Sequence, residues 1–279
     1  MERTLKVSDG QSTTATEFPY QVQLQTDRGA PFCSGIILTA HIILTAAHCF
    51  KSTTWSEVRV LAGKQSQLEV NTPEGSIQKR SLKTRVLSHE EYDNETIQHD
   101  IALLWLKESL DFTSYIKNVL IPNNEIAHFL NADAVVSGWG AAPDKKSRPP
   151  NLLKANVTVY SDTTCKNKWT TGFLDGMTCA GGQVADACKG DSGGPLTCTH
   201  QNSSRKAFAC GIVSFGSFEN STVPCGKNVA QKPGIYTNVT KYYKWIMHKS
   251  CETRYIFLTL FIQKSLTIKY LQVFRVFFT

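Results

Sequence analysis

The strongest constraint on the fold is a succession of short segments in which apolar and polar residues alternate, with turns between them. Tyr20–Gln25 reads YQVQLQ, and this period of two is typical of a half-buried β-strand. An irregular stretch at 111–133 divides the segments into two halves. The pattern predicts an all-β protein, built as β-barrels. Further strands are expected at 36–38, 42–45, 58–62, 84–87, 100–106, 134–138, 154–160, 195–199, 207–214 and 235–239.

Two segments carry helix signals. Ser161 is placed to cap a short helix that reaches Trp169, and Thr240 to cap a second one that reaches Lys249. We therefore expect one short helix within the second half and one terminal helix.

Composition excludes several classes of protein. A chain of 279 residues that is 41% hydrophobic and 19% charged has enough apolar residues for a core, so it is not a disordered protein. The net charge of +7 is spread along the chain without a dense Lys/Arg run. We therefore expect no nucleic-acid partner.

The nine cysteines indicate an oxidising compartment. They form neither a CxxC pair nor a zinc-like Cys/His spacing, so disulfides are favoured over metal ligation. Asn-x-Ser/Thr acceptor sites for glycosylation support a secreted protein; they are Asn94, Asn156, Asn202, Asn220 and Asn238.

The two ends bear on localisation as well. Residues 1–6 have no apolar core of a signal peptide, so the export signal is expected upstream in a longer precursor, or the start is truncated. The apolar segment 255–279 is interrupted by Lys264, Lys269 and Arg275, which leaves no run of the ~20 residues that a membrane helix needs. We expect no membrane contact.

Three separated stretches combine the residue types of nucleophilic catalysis. They are LTAAHC around His48, HDIALL around Asp100 and KGDSGGP around Ser192. Each alone has an ordinary structural explanation, as a core histidine, a strand-edge carboxylate or a turn. Together, in the order His, Asp, Ser, they indicate a catalytic triad.

These motifs resemble the chymotrypsin-fold serine peptidases of the trypsin type, and the resemblance covers about residues 7–249. It implies an all-β fold of two packed six-stranded antiparallel barrels with a C-terminal helix, and a triad in the cleft between the barrels. It also implies a propeptide remnant at 1–6 and a peptidase domain at 7–250. The tail at 251–279 has no counterpart in the family: an amphipathic membrane-surface segment, an interaction tail and translated non-coding sequence remain open, the last being favoured.

The resemblance implies a role for each residue of the site. His48 is the general base, Asp100 orients it, and Ser192 is the nucleophile. The N–H groups of Gly190 and Ser192 form the oxyanion hole, and Ser214 supports Asp100 and offers backbone to the substrate.

Specificity follows from the primary pocket that the resemblance implies. Asp186 lies at its floor and attracts Arg or Lys, and Gly216 and Gly234 are walls small enough for a long side chain. Ala187 lacks a hydroxyl beside Asp186, which favours Arg because its guanidinium binds a carboxylate bidentately. Outer apolar subsites are expected at Trp169, Phe215 and Ile97, with core packing as the alternative for Ile97.

Activation is also implied. Cleavage after Lys6 would free the Val7 amine to pair with Asp191 and order the oxyanion loop. Ser8 and Asp9 depart from the family's usual Val-Gly at this site.

The resemblance implies the disulfides Cys33–Cys49, Cys165–Cys179 and Cys188–Cys225. The usual family partner of Cys198 would fall at Ala134, so we expect Cys198 to pair with Cys210 across a hairpin instead, leaving Cys251 free or joined to another chain. Lys64 replaces the first carboxylate of the family's calcium loop, and Pro233 the tyrosine of sodium-activated relatives. We expect no cofactor and no metal.

The sequence thus predicts a secreted, trypsin-like serine endopeptidase, made as a zymogen and cleaving after Arg, then Lys. Its expected partners are polypeptide substrates and protein protease inhibitors. The alternative is a catalytically silent homologue that acts as a binding or cofactor module. A membrane-tethered protease is a third possibility, which depends wholly on the tail.

Overall fold

A computed structural model describes residues 10–51, 54–67, 75–123, 133–140, 151–182, 187, 190–199, 207–216 and 232–251. Its regular secondary structure is mostly strand, as the sequence predicts. Its strands are β1 Gln11–Ser12, β2 Gln21–Gln25, β3 Pro31–Ile37, β4 Ile42–Thr45, β5 Arg59–Ala62, β6 Gln78–Ser81, β7 Leu87–Ser88, β8 Ala102–Trp105, β9 Asp133–Gly138, β10 Leu153–Val159, β11 Met177–Gly181, β12 Pro195–Thr199, β13 Ala207–Phe215 and β14 Gly234–Asn238.

The second half forms a closed barrel. Its strands follow the order β10-β11-β14-β13-β12-β9, and β9 pairs back to β10, so that six strands complete the circle while β1 adds to the outside of β10. All these pairings are antiparallel. The interior is filled by alternate side chains such as Val136, Val157 and Leu196, each at most 3% exposed.

The first half forms a curled antiparallel sheet in the order β6-β5-β2-β3-β4-β8-β7. Beyond the ends of β6 and β8, a bridge between Leu82 and Leu106 brings the edges together. The backbone bonds from Lys83 to Trp105 and from Lys107 to Ser81 flank this bridge. The prediction of a trypsin-like all-β fold is confirmed: the second half is a closed six-stranded barrel, and the first half is a curled half-barrel whose edges are joined by one isolated bridge.

The glutamines of β2 depart from the expected half-buried strand, because all five residues of QVQLQ are buried. Gln21 donates from Nε2 to the carbonyl of Ser137 at 2.8 Å and accepts from the Ser137 hydroxyl at 2.5 Å. Gln25 donates to Gln23. A polar side chain can be buried when its hydrogen bonds are made, and here Gln21 links the first sheet to β9 of the second barrel.

The first predicted helix is confirmed. Helix α1, Asp162–Trp169, is capped by Ser161, whose hydroxyl accepts from the N–H of Thr164 at 3.2 Å. The terminal helix α2 occupies 243–251, so it begins later than predicted. Thr240 does not cap it; its hydroxyl donates to Asn238 Oδ1 in a turn that follows β14.

Some strands differ from the prediction for identifiable reasons. β6 has the polar sequence QKRS, and β11 has the buried sequence MTCAG, so neither shows the alternation that marks a half-buried strand. The strand expected at 84–87 is reduced to β7, Leu87–Ser88, which pairs with β8.

Three disulfides lie among the described residues, Cys33–Cys49, Cys165–Cys179 and Cys198–Cys210. The third confirms the pairing of Cys198 with Cys210 that is expected from the sequence. Ala134 of β9 lies opposite Cys198 of β12. Cys198 is bonded instead to Cys210 of β13, with a Cα separation of 5.8 Å. Cys251 is free and exposed. The expected Cys188–Cys225 bridge lies outside the described residues.

One expected glycosylation site is wrong. The side chain of Asn238 is fully buried in β14, and its Oδ1 accepts from both the N–H and the hydroxyl of Thr240. A glycan must project into solvent, so Asn238 cannot carry one in the folded protein. Asn94 and Asn156 are exposed, whereas Asn202 and Asn220 lie outside the described residues.

None of the helices in the described part of the chain has the length and apolar composition that crossing a membrane requires.

Replacing Cys198 and Cys210 together by alanine is expected to lower the free energy of unfolding by about 3 kcal/mol, because the bridge restricts the unfolded chain across a short loop. Urea denaturation under oxidising conditions measures this change. Cys251→Ala is the matched control, since that thiol is exposed and unbridged. A double variant as stable as the control would contradict a structural role for the bridge.

Candidate active site

A buried carboxylate, Asp100, joins residues from the two halves of the chain. It is 1% exposed and precedes β8 of the first sheet. Its Oδ2 accepts from the Ser214 hydroxyl of β13 at 2.5 Å and lies 2.7 Å from His48 Nδ1. Its Oδ1 accepts from the backbone N–H of His48 at 2.8 Å. Three donors around one carboxylate satisfy its hydrogen-bonding capacity in spite of its burial.

Thr237 is a member of this cluster that the sequence analysis missed. Its hydroxyl donates to the backbone carbonyl of Asp100 at 2.7 Å. The threonine lies on β14, and nothing local in its sequence signals the contact, because the two residues are 137 positions apart.

The backbone at His48 is constrained by a short helical turn and by a neighbouring disulfide. It lies in a single 3₁₀ turn, Ala47–Phe50, directly after β4, and the adjacent Cys49 is tied to Cys33 of β3. The His48 side chain remains 24% exposed. With Nδ1 donating to Asp100, the tautomer carries its lone pair on Nε2, which is the form required of a general base.

The Ser192 segment, which comes just before β12, contacts the first sheet. The Ser34 N–H donates to the Ser192 carbonyl at 2.8 Å. Gly193 has φ 80°, and a Cβ there would lie 2.2 Å from Thr45 Oγ1 and 2.4 Å from the Ser34 carbonyl. Only glycine therefore permits this approach, which brings Ser192 beside the Cys33–Cys49 bridge.

One sulfur of that bridge lies near both Ser192 and His48. Cys49 Sγ lies 3.9 Å from the Ser192 carbonyl and 4.0 Å from His48 Nε2. Among the described residues, Ser192 Oγ makes no hydrogen bond to the imidazole, a contact that often tightens only when substrate binds. Within the same part of the chain, the N–H groups of Gly190 and Ser192 donate to no protein acceptor.

Asp191 is a second buried carboxylate, 0% exposed. Its Oδ1 accepts from the N–H of Gly140 at 2.7 Å. Gly138 and Gly140 pack directly on the carboxylate, since a Cβ at either position would lie within 2.4 Å of one of its oxygens. The residue next to Ser192 is thus fixed by a pocket that two glycines form.

Two of the expected subsite residues, Trp169 and Phe215, are in contact. Trp169 donates from Nε1 to the Pro233 carbonyl at 2.9 Å and packs edge-to-face on Phe215, with ring centroids 5.6 Å apart. Gly216 follows β13, and Gly234 begins β14. Ala187 packs against the core of this barrel.

The segment 92–99 lies next to the Asp100 cluster. Ile97 and His99 both have φ 56°, in the left-handed region that non-glycine residues rarely adopt. Ile97 is partly buried. Burial raises the pKa of Tyr92 to about 12, and the charges of Asp100 and Asp93 contribute to the increase.

Several expected site residues lie outside the described part of the chain. They are Lys6, Val7, Asp186, Cys188 and Cys225.

The sequence is similar to those of known proteins. Residues 7–246 match the profile of the Trypsin family. The chain is 31% identical to trypsin delta of Drosophila erecta, over 88% of this chain and 88% of that protein. It is 32% identical to human transmembrane protease serine 11B, over 88% of this chain, and spans 56% of that relative's length.

A solved structure shows the same fold. It is titled neuropsin, a serine protease expressed in the limbic system of mouse brain. The two chains are 30% identical and superpose with a TM-score of 0.72, over 87% of this chain and 99% of that one.

Gly140→Ala is expected to lower the free energy of unfolding by about 2–3 kcal/mol, because the new Cβ collides with the buried Asp191 carboxylate. Gly211→Ala is the matched control: it lies in the same barrel, but its Cβ meets only side-chain atoms at 3.1 Å or more. Urea denaturation of both variants provides the comparison. Equal losses would show that the glycine pocket around Asp191 is not required.

Proposed function

Because this chain belongs to the trypsin family of serine endopeptidases, we propose that it cleaves polypeptides after Arg, and then after Lys, through a His48–Asp100–Ser192 triad. The observation that carries the proposal is the hydrogen-bonded Asp100 carboxylate, which orients His48 beside the Ser192 segment. The activity, substrates and partners proposed below are those of the trypsin-like part of the chain.

The first half of the reaction forms an acyl-enzyme. His48 Nε2 removes the proton from Ser192 Oγ as this oxygen attacks the scissile carbonyl carbon, and Asp100 stabilises the resulting imidazolium. The carbonyl oxygen becomes an oxyanion, which accepts from the N–H groups of Gly190 and Ser192. Each such donor contributes roughly 3 kcal/mol in the transition state. Collapse of the intermediate breaks the C–N bond, and His48 protonates the leaving amine.

The second half releases the acid product. Water replaces the amine, His48 removes one of its protons, and the hydroxide attacks the acyl carbon. Collapse returns the proton to Ser192 Oγ and restores the starting enzyme. Both halves need a histidine that keeps one tautomer, which is supported by the 2.7 Å contact of Nδ1 with Asp100.

The preference for Arg rests on Asp186, which precedes Ser192 by six residues in the sequence. A carboxylate at the pocket floor pairs with a guanidinium through two parallel hydrogen bonds, whereas an ammonium makes a single point contact. Ala187 supplies no hydroxyl that would help a lysine. Gly216 and Gly234 leave room for the side chain beside Trp169 and Phe215.

The same reasoning extends to regulation and localisation. We propose a zymogen that is cut after Lys6, so that the Val7 amine pairs with Asp191, whose carboxylate is buried against Gly140. Secretion is supported by the disulfides, with Asn94 and Asn156 as the described glycan acceptors. Protein protease inhibitors are the expected regulators. The peptidase domain is proposed at 7–250, between the remnant 1–6 and the tail 251–279.

The direct test is hydrolysis of matched peptide substrates with Arg, Lys or Phe before the cut, using protein cleaved at Lys6–Val7. Turnover is expected to be fastest with Arg, slower with Lys and minimal with Phe. Ser192→Ala should lower kcat by at least about 10⁴-fold without unfolding the protein. If the folded, cleaved protein has no turnover, the alternative is correct: the protein is a catalytically silent homologue that acts as a binding or cofactor module.

A second variant tests the pocket separately. Asp186→Ser is expected to lower kcat/KM for the Arg peptide by roughly 10⁴-fold, because the buried guanidinium loses its partner. The Phe peptide should be affected far less, so the ratio of the two values is the decisive readout. Loss of both activities to the same extent would place Asp186 outside the pocket.

A further inference from the structure

A second cluster of titratable side chains lies beside the catalytic carboxylate. His89, Glu91 and His99 each offer one ligand atom, and these atoms lie within 4.8 Å of one another. The two imidazole rings are nearly parallel, with centroids 4.8 Å apart. His99 Nε2 lies 3.8 Å from Glu91 Oε2. None of these residues belongs to the peptidase machinery described above, but His99 is the residue before Asp100.

Backbone hydrogen bonds connect both histidines to the same residue, Ile101. The His89 N–H donates to the Ile101 carbonyl at 2.9 Å, and the Ile101 N–H donates to the His99 carbonyl at 2.8 Å. The backbones of both histidines are therefore hydrogen-bonded to Ile101, the residue that follows Asp100. Glu91 is tied to the same place, because its N–H donates to His89 Nδ1 at 3.2 Å.

Two imidazoles and one carboxylate form a donor set that suits Zn²⁺. Zinc commonly binds three protein ligands of this kind and completes a tetrahedron with water, with bonds of about 2.0–2.2 Å. Ca²⁺ and Mg²⁺ prefer oxygen ligands, so the two histidines disfavour them. His89 Nδ1 accepts the Glu91 N–H, so Zn²⁺ binding through this nitrogen requires that hydrogen bond to break.

We propose that His89, Glu91 and His99 form a Zn²⁺ site, and that bound Zn²⁺ lowers the turnover of the enzyme. Tetrahedral ligands at these bond lengths are about 3.4 Å apart, so atoms separated by up to 4.8 Å must move closer. Glu91 can move readily, since its side chain is 74% exposed. The histidines are restrained by their backbone bonds to Ile101, so part of the displacement passes to that residue and to Asp100.

Displacement of Asp100 affects the chemistry rather than substrate binding. Its two oxygens each make a hydrogen bond to His48 of 2.7–2.8 Å, and catalysis depends on such geometry to within fractions of an ångström. Zn²⁺ should therefore lower kcat more than it raises KM. The effect of Zn²⁺ on kcat rests on the proposed peptidase activity but not on the preference for Arg. It can be measured with any peptide that the enzyme cleaves.

The experiment separates binding from activity. Calorimetric titration with ZnCl₂ is done on the Ser192→Ala form of the full chain cleaved after Lys6, so that binding is measured without turnover. His89→Gln and Glu91→Gln each remove one ligand, whereas His41→Gln is the matched control on an exposed histidine elsewhere. We expect Zn²⁺ affinity to fall at least about tenfold in the first two variants and to stay unchanged in the control.

The activity arm uses the same substitutions in the enzyme with intact Ser192 and the best of the peptide substrates. Zn²⁺ should lower kcat of the parent and of His41→Gln, EDTA should restore it, and His89→Gln should resist. Equal activity of all forms in EDTA shows that the variants are folded. Zn²⁺ affinity that is unchanged in His89→Gln and Glu91→Gln would overturn the site. Binding without any change in kcat would overturn its regulatory effect.

Discussion

The Asp100 carboxylate is the interaction on which the arrangement of the site depends. It accepts from the backbone and ring of His48, which follow β4 of the first sheet, and from Ser214 of the second barrel. A carboxylate buried to this degree needs its hydrogen bonds, because leaving a buried polar group without a partner costs roughly 1–3 kcal/mol or more. The same bonds therefore join the two halves of the chain and keep His48 in one tautomer.

The approach of the two halves requires small residues at the contact. Gly193 lies against Thr45 and the Ser34 carbonyl of the first sheet, where no side chain fits. Gln21 and Ser137 form a second link through two buried hydrogen bonds. The Ser192 segment is thus held in place by contacts that also connect the first sheet to the second barrel.

Several features of this arrangement could be predicted from the sequence. Alternation predicted most strands, and the serine cap predicted α1, because both signals arise from neighbours in the chain. The Cys198–Cys210 bridge could be predicted as well, since Ala134 removed the usual partner and a hairpin brought the substitute near. By contrast, β11 was missed because both of its faces are buried, which removes alternation as a signal.

The errors concern burial and long-range contacts. Asn238 has an ordinary acceptor sequence, yet it is buried in a central strand of a closed barrel, which only the strand order decides. The glutamines of β2 look like the exposed face of a strand, and their burial depends on partners such as Ser137. Thr237 reaches Asp100 across 137 residues, so no local pattern could reveal the contact.

The sequence by itself determined which groups are available and in what order: His48, Asp100 and Ser192, the glycines around the serine, and the cysteines. It did so because catalysis and tight turns accept few residue types. Only the tertiary structure decided which of these groups meet, how deeply each is buried, and that His89, Glu91 and His99 lie beside Asp100. Distances and burial arise from sheet closure, which couples residues far apart in the chain, and that coupling cannot be read from local sequence.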